Sequence, residues 1–433
     1  MKYYSTNKQA AHVSLQEAVI KGLAPDKGLY MPEQVKELPQ SFFDNIGNMS
    51  FQEIAYVVAD AFFGEDIDAD ILKDIVYDTL SFDVPLAHVD KNIHSLEIYH
   101  GPTLAFKDVG ARFMARLLGY FIKKQGQEDV KVLVATSGDT GSAVANGFLG
   151  VEGIHVCVLY PKGKVSHIQE CQFTTLGQNI TALEVDGTFD DCQSLVKMAF
   201  MDEELNRKLN LTSANSINVA RFLPQSFYYF YAYAQLVKLG KAKDVVFCVP
   251  SGNFGNLTAG LIAKRMGLPV KRFIAANNSN DVFYEYLQTG EYNPRPSVQT
   301  IANAMDVGDP SNFARILDLY QHSHSAILKD ISGAWYNDDI IRKTLKDTYE
   351  RTGYLLDPHG ACGYAALADG LHANETGVFL ETAHPAKFLE TVESILSQKI
   401  DIPEKLQVFM TGKKESIEMS RNYSDFHKLL LSL

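Results

Sequence analysis

Twice in this chain a short Val-rich apolar run passes straight into the pattern S-G-x-x-G and out into helix-like spacing. The first instance is Val134-Ala-Thr-Ser-Gly-Asp-Thr-Gly-Ser-Ala143, the second Val249-Pro-Ser-Gly-Asn-Phe-Gly-Asn-Leu-Thr258. A strand that is apolar at every position needs both its faces covered, and helices packed on both sides of a parallel sheet provide that cover. Lys131–Ala135, His155–Tyr160, Ile180–Val185, Val245–Val249, Arg272–Ala275 and Gly377–Leu380 all read as such strands, each followed by helical spacing. The first two start 24 residues apart, enough for one crossover helix and two turns. The expected fold is α/β, with two doubly wound parallel-sheet units. Two similar loops at strand C-termini predict one cleft lined from both units, where such sheets bind ligands.

The first ninety or so residues differ. Phe51–Phe63 and Asp70–Tyr77 carry helical periodicity, with Gly64 stopping the first. The expected organisation is a mostly helical N-terminal portion (1–95), a smaller α/β unit (96–225), and a larger α/β unit with the C-terminal segment (226–433). A length of 433 residues is consistent with two or three domains, at ~150 residues each.

Composition removes several function classes. The net charge of -12 argues against a nucleic-acid binder, whose footprint is a basic face. Five cysteines without a C-x-x-C, and histidines without close ligand spacing, argue against a disulfide framework and a metal site. The opening MKYYSTNKQAAHVS lacks the apolar region of a secretory signal. The longest apolar stretch, FLPQSFYYFYAYAQLVKLG, is interrupted by Pro224, Gln225 and Gln235, so no membrane span is expected. A reduced, cytoplasmic protein is the expectation, and oligomeric state is not set by the sequence.

Four places carry candidate chemistry. Gly252, Asn253, Phe254, Gly255 and Asn256 form a loop at a helix start, where close backbone approach and free N–H groups suit an anion. The loop is neither a Walker A sequence nor G-x-G-x-x-G, so an anion site and an ordinary βα turn both remain open. Ser137 and Thr140 add hydroxyl donors to a second loop that suits a carboxylate; the alternative is that Asp139 or Thr140 caps the following helix. Lys107 lies between Phe106 and Asp108 at the start of an apolar helical face, where an amine sheds charge more readily and can form a Schiff base. Thr382 sits at a strand end. Together an aldehyde-reactive lysine, a phosphate loop, a carboxylate loop and a hydroxyl for a ring nitrogen fit pyridoxal 5'-phosphate.

At this level of detail H-G-P-T-L-A-F-K-D, A-T-S-G-D-T-G, S-A-N-S-I-N-x-x-R, V-P-S-G-N-F-G and T-A-H-P-A-K-F resemble threonine synthase, in its bacterial and fungal branch. The likeness runs from about Gly28 to Lys387. It implies a fold-type II pyridoxal-phosphate lyase that converts O-phospho-L-homoserine and water into L-threonine and phosphate. It further implies Lys107 as cofactor lysine and general base, the Gly252–Asn256 loop as phosphate cradle, Thr382 at the pyridine nitrogen and Asp139 near the phenolic oxygen. Ser137 and Thr140 would hold the substrate carboxylate, while Ser216, Asn218 and Arg221 would hold its phosphate.

Two positions depart from the family pattern: Asn256, where an acidic residue is common, and Cys362, where an aliphatic one is. The resemblance assigns no role to Asp357, His359 or the segment after Lys387. A dehydratase-type β-eliminase and a non-catalytic relative are the alternatives; the first has no use for a substrate-phosphate site, the second none for Lys107. A nucleotide-binding dehydrogenase would need the absent G-x-G-x-x-G.

Overall fold

Every residue of Val130–Ala135, Val245–Pro250 and Thr376–Glu381 is buried, as continuous apolar runs require in a sheet covered on both faces. The computed structural model describes residues 1–126 and 129–433. Their contacts group into two units: a larger one from Met1, 31–101 and 222–401, and a smaller one from 2–30, 102–221 and 402–433.

The larger unit holds a six-stranded sheet in the order Ile331–Trp335, Val270–Asn277, Val245–Pro250, Thr376–Glu381, Ile93–Glu97, Leu86–Asp90. All neighbours run parallel except the last pair. The smaller unit holds five parallel strands in the order Ile417–Ser420, Ile180–Asp186, Ile154–Pro161, Val130–Ala135, Asn210–Ser213. The two share a topology. In a four-strand core of each, the chain steps outward from one strand (Val245–Pro250 or Val130–Ala135) through two more and then returns to its other side. The strand order therefore reverses beside the strand that precedes each S-G-x-x-G loop, and crevices at such reversals are where open α/β sheets bind ligands. In the larger unit, Ser251–Asn256 and Thr382 leave adjacent strands; in the smaller, Ser137–Gly141 and the 214–221 segment do the same.

The compact units differ from the three consecutive segments expected. The helix Phe51–Phe63 starts in a Ser50/Glu53 capping box and ends at Gly64, as its periodicity predicts. Its buried face packs on the helix Phe227–Lys238, with Phe51 stacked on Tyr231 at 4.6 Å, so it belongs with the larger unit. That partner helix is the apolar stretch ending in Leu239-Gly240. Its Gln235 donates to the Val84 carbonyl and accepts from the Leu86 N–H, which accounts for a glutamine in so apolar a run. Among the described residues no helix is long and apolar enough to cross a membrane. The chain's end returns to the smaller unit: Ile417–Ser420 extends its sheet, and Phe426 and Leu430 join Leu183, Val185 and Leu195 in its core. Short strands that join a sheet from far along the chain cannot be placed by contiguity.

Candidate active site

In the smaller unit Lys107 is the first residue of the helix Lys107–Gln125, whose N-cap Phe106 offers no side-chain hydrogen bond. The Lys107 Nζ lies 5.6 Å from the Phe106 ring centre. The next residue, Asp108, is buried and accepts from the Thr103 hydroxyl at 2.6 Å and the Thr103 N–H at 2.9 Å, which fixes the turn that delivers Lys107. Gln172 donates to the Thr103 carbonyl from the far side of that turn.

The Ser137–Gly141 loop begins the helix Asp139–Phe148, and its cap corrects the simpler expectation. Neither Asp139 nor Thr140 caps the helix: the N-cap is Gly138, with φ 144 and no side-chain bond. Thr136 organises the loop, its hydroxyl accepting from the N–H groups of Gly138 (2.9 Å) and Gly141 (2.8 Å). Asp139 is buried and accepts from the Gln169 amide at 2.9 Å. Ser137 and Thr140 are half-buried.

The segment after Asn210–Ser213 sits beside Lys107. Arg221 is 2% exposed, and its Nη1 donates to the Lys107 carbonyl at 3.3 Å. Burial pushes its guanidinium down to about 10, while the Asp108 carboxylate acts the other way. The two backbones meet closely at Gly110, where an added Cβ would lie 2.4 Å from the Arg221 carbonyl oxygen. Asn218 differs from its expected role. Both its amide hydrogens go to backbone carbonyls, Val19 at 2.9 Å and Ser213 at 3.2 Å, and its oxygen accepts from the Ala220 N–H. Asn218 thus holds the turn, whereas Ser216 is half-buried.

In the larger unit the Ser251–Asn256 loop enters the helix Gly255–Arg265 through Phe254, which has φ 61 and gives no side-chain cap. Gly252 has no room for a side chain: its Cβ would lie 2.6 Å from the Ala304 carbonyl oxygen. Asn253 accepts from the Ser311 N–H at 2.6 Å, and Asn256 bridges the loop, donating to Pro250 and accepting from the Leu257 N–H. Thr382 follows the adjacent strand directly and is 7% exposed.

A family profile described as "Pyridoxal-phosphate dependent enzyme" matches residues 87–382, with "Threonine synthase N terminus" on 2–80 and "Threonine synthase, C-terminal" on 360–429. Threonine synthase of Escherichia coli is 45% identical over 432 residues, covering 100% of both chains. The chain belongs to the threonine synthase family. The crystal structure of the Escherichia coli threonine synthase superposes with a TM-score of 0.94, at 43% identity in that alignment and 100% coverage of both chains. A pyridoxal-phosphate-bound threonine synthase from Brucella melitensis gives 0.93 at 35%, covering 99% of this chain and 98% of its own. Likeness to a tomato threonine deaminase, at 18% identity and a TM-score of 0.56, shows the fold alone.

Dependence on pyridoxal phosphate comes with threonine synthase family membership, and this chain's donors fit that group. Among the described residues eight other α-helices, including those led by Ser14, Ser166 and Asn337, start under a side-chain cap, while others, including Gln40–Asn45 and Phe313–Leu319, do not. The helices after both S-G-x-x-G loops lack one, and first-turn N–H groups have no intrahelical acceptor. Thr136 and Asn256 take the Gly141 and Leu257 N–H groups, and the N–H groups of Gly255 and Asn256 lie at the second helix start, where a phosphate is received. Of the two departures from the threonine synthase pattern, Asn256 is consumed by loop geometry, and Cys362 is fully buried in the larger unit's core. Sequence reasoning missed Val19, Thr103, Thr136 and Gln169, which hold Asn218, Asp108, the Gly138–Gly141 backbone and Asp139 in place. Of these, Thr103, inside H-G-P-T-L-A-F-K-D, and Thr136, inside A-T-S-G-D-T-G, carried a signal.

Proposed function

We propose that the chain catalyses the conversion of O-phospho-L-homoserine and water to L-threonine and phosphate, with pyridoxal 5'-phosphate as cofactor. The observation that carries this is the buried Arg221 bonded to the backbone of Lys107, which puts a phosphate-type cation beside the cofactor lysine. When bound, the cofactor supplies an electron sink for negative charge developing on substrate carbons. Lys107 holds the cofactor and carries the proton at the substrate's Cα. The Gly252–Asn256 loop, with Asn253, Phe254 and Gly255, receives the cofactor phosphate on its backbone donors. Thr382 would partner the ring nitrogen of the bound cofactor and Asp139 its phenolic oxygen.

Ser137 and Thr140 take the substrate carboxylate. Arg221 and Ser216 take the substrate phosphate and stabilise it as it leaves, Arg221 with a planar fork of donors. Asn218 positions both through Val19 and Ser213. Lys107 belongs to the smaller unit and the phosphate loop to the larger. A cytoplasmic setting suits five buried free thiols.

A substrate panel tests this. O-phospho-L-homoserine should turn over, and homoserine, serine and threonine should not. Faster release of a keto acid from serine or threonine than of phosphate from O-phosphohomoserine would establish the dehydratase reading instead.

A further inference from the structure

The stretch Asp357-Pro-His-Gly360 is unused by the assignments above, yet its two ionisable side chains are almost wholly buried, Asp357 at 0% and His359 at 2% exposure. Asp357 is the N-cap of the helix Pro358–Gly370 and accepts from the N–H groups of His359 and Gly360. One carboxylate oxygen would be enough for that. The other oxygen accepts from the Ala383 N–H at 3.0 Å, and Ala383 follows Thr382. The cap therefore also grips the strand end that carries Thr382.

His359 continues the path. A backbone N–H can only donate, so the 3.2 Å contact from the Ala304 N–H makes His359 Nε2 an acceptor. Nδ1 then carries the hydrogen and donates to Asp357 Oδ1 at 3.1 Å. Ala304 in turn presses on the phosphate loop, its carbonyl oxygen and the Met305 Cα lying 2.6 Å and 3.0 Å from where a Gly252 Cβ would be. The 300–306 segment is anchored on its own account: Asp306 accepts from the Thr300 N–H and hydroxyl and from the amide of Asn278. The path thus runs from Thr382 and Ala383 through Asp357, His359 and Ala304 to Gly252.

We propose that Asp357 and His359 are positioning residues for the cofactor, fixing the span between the phosphate loop at Gly252 and the ring-nitrogen partner Thr382. The proposal rests on the cofactor assignments of the preceding section. Thr382 and Gly252 leave neighbouring strands, yet the strand register ends at Cys248 and Phe379, short of both loops. The Asp357–His359 pair supplies the tie beyond that point. Glu381 supports it from beneath: it is fully buried, accepts from the Asp357 N–H at 2.6 Å, and leaves no space for a side chain at Gly360.

The test is titration of full-length apoenzyme with pyridoxal phosphate, read by the visible absorbance of the lysine-bound cofactor and by calorimetry, for wild type and three His359 variants. Loss of one buried hydrogen-bond acceptor should weaken cofactor binding in His359→Ala roughly tenfold. His359→Gln places an amide oxygen where Nε2 accepts from Ala304 and should recover most of that loss. His359→Asn keeps only the bond to Asp357 and should not. A purely structural role would lower the melting temperature of all three while leaving cofactor affinity and absorbance maximum unchanged, and that result would overturn the proposal. Should His359→Ala not fold, equal affinities for the Gln and Asn variants would overturn it as well. The cofactor reading fails separately: wild type would then show no visible band that disappears in Lys107→Ala.

Discussion

Arg221 is a guanidinium held almost out of water, with its Nη1 bonded to the carbonyl of Lys107. Burying a cation is costly unless an anion meets it, and Asp108 supplies one such charge nearby. The substrate's leaving phosphate is the second anion the assignment requires. Arg221→Lys keeps the charge and loses the fork, so kcat/KM for O-phosphohomoserine should fall about a hundredfold or more. The cofactor's visible band should survive, because no assigned cofactor contact changes. A kcat/KM within about threefold of wild type would remove Arg221 from phosphate binding. At this scale the sequence pointed to side chains whose chemistry suits a ligand and was silent where a side chain meets backbone. Lys107 and Thr382 stood out through their motifs. Asn218 was expected to face substrate and instead binds Val19, about 200 residues back, a contact no local pattern encodes.

The elements that present these residues depend on close approach. Gly110 is the point where the Lys107–Gln125 helix meets the Arg221 backbone, and a methyl group there has no space. Gly110→Ala should cost about 1–3 kcal/mol of stability, seen as a lowered melting temperature, and should reduce kcat/KM because Arg221 moves. Unchanged melting and kinetics would show that the contact yields freely. A second prediction concerns the strand Ile93–Glu97, which pairs with Thr376–Glu381. Its His94 is buried, and desolvation first, then Lys241 and His88, push the imidazole down to about 4. The folded value lies below the unfolded one of about 6.5, so its contribution to stability is complete above that pH and is lost as pH falls towards 4. Burial depresses His384 in the same direction, so one substitution removes part of the effect. The melting temperature should therefore decline less steeply between pH 6.5 and 4 in His94→Gln than in wild type, and identical slopes would contradict this. The central strands were readable from their apolar runs because they are buried on both faces. Leu86–Asp90 and Ile417–Ser420 were not, being edge strands with partly exposed, polar sequences.

Across the whole molecule, two units repeat one topology, and each places its S-G-x-x-G loop at the reversal of strand order. That repetition was visible as an echo between residues 134–143 and 249–258, and it is the strongest fold-level signal in the chain. The units themselves were not visible, because Ile93–Glu97 and Ile417–Ser420 join sheets whose other strands lie far away in sequence. Full-length similarity to threonine synthases then narrows a shared pyridoxal-phosphate fold to one reaction. The measurement that tests this reaction most directly is the product balance when the holoenzyme is given O-phospho-L-homoserine. Phosphate and L-threonine should appear together in equal amounts, with little 2-oxobutyrate. Phosphate accompanied mainly by 2-oxobutyrate would contradict the account, because water would then not be added at Cβ.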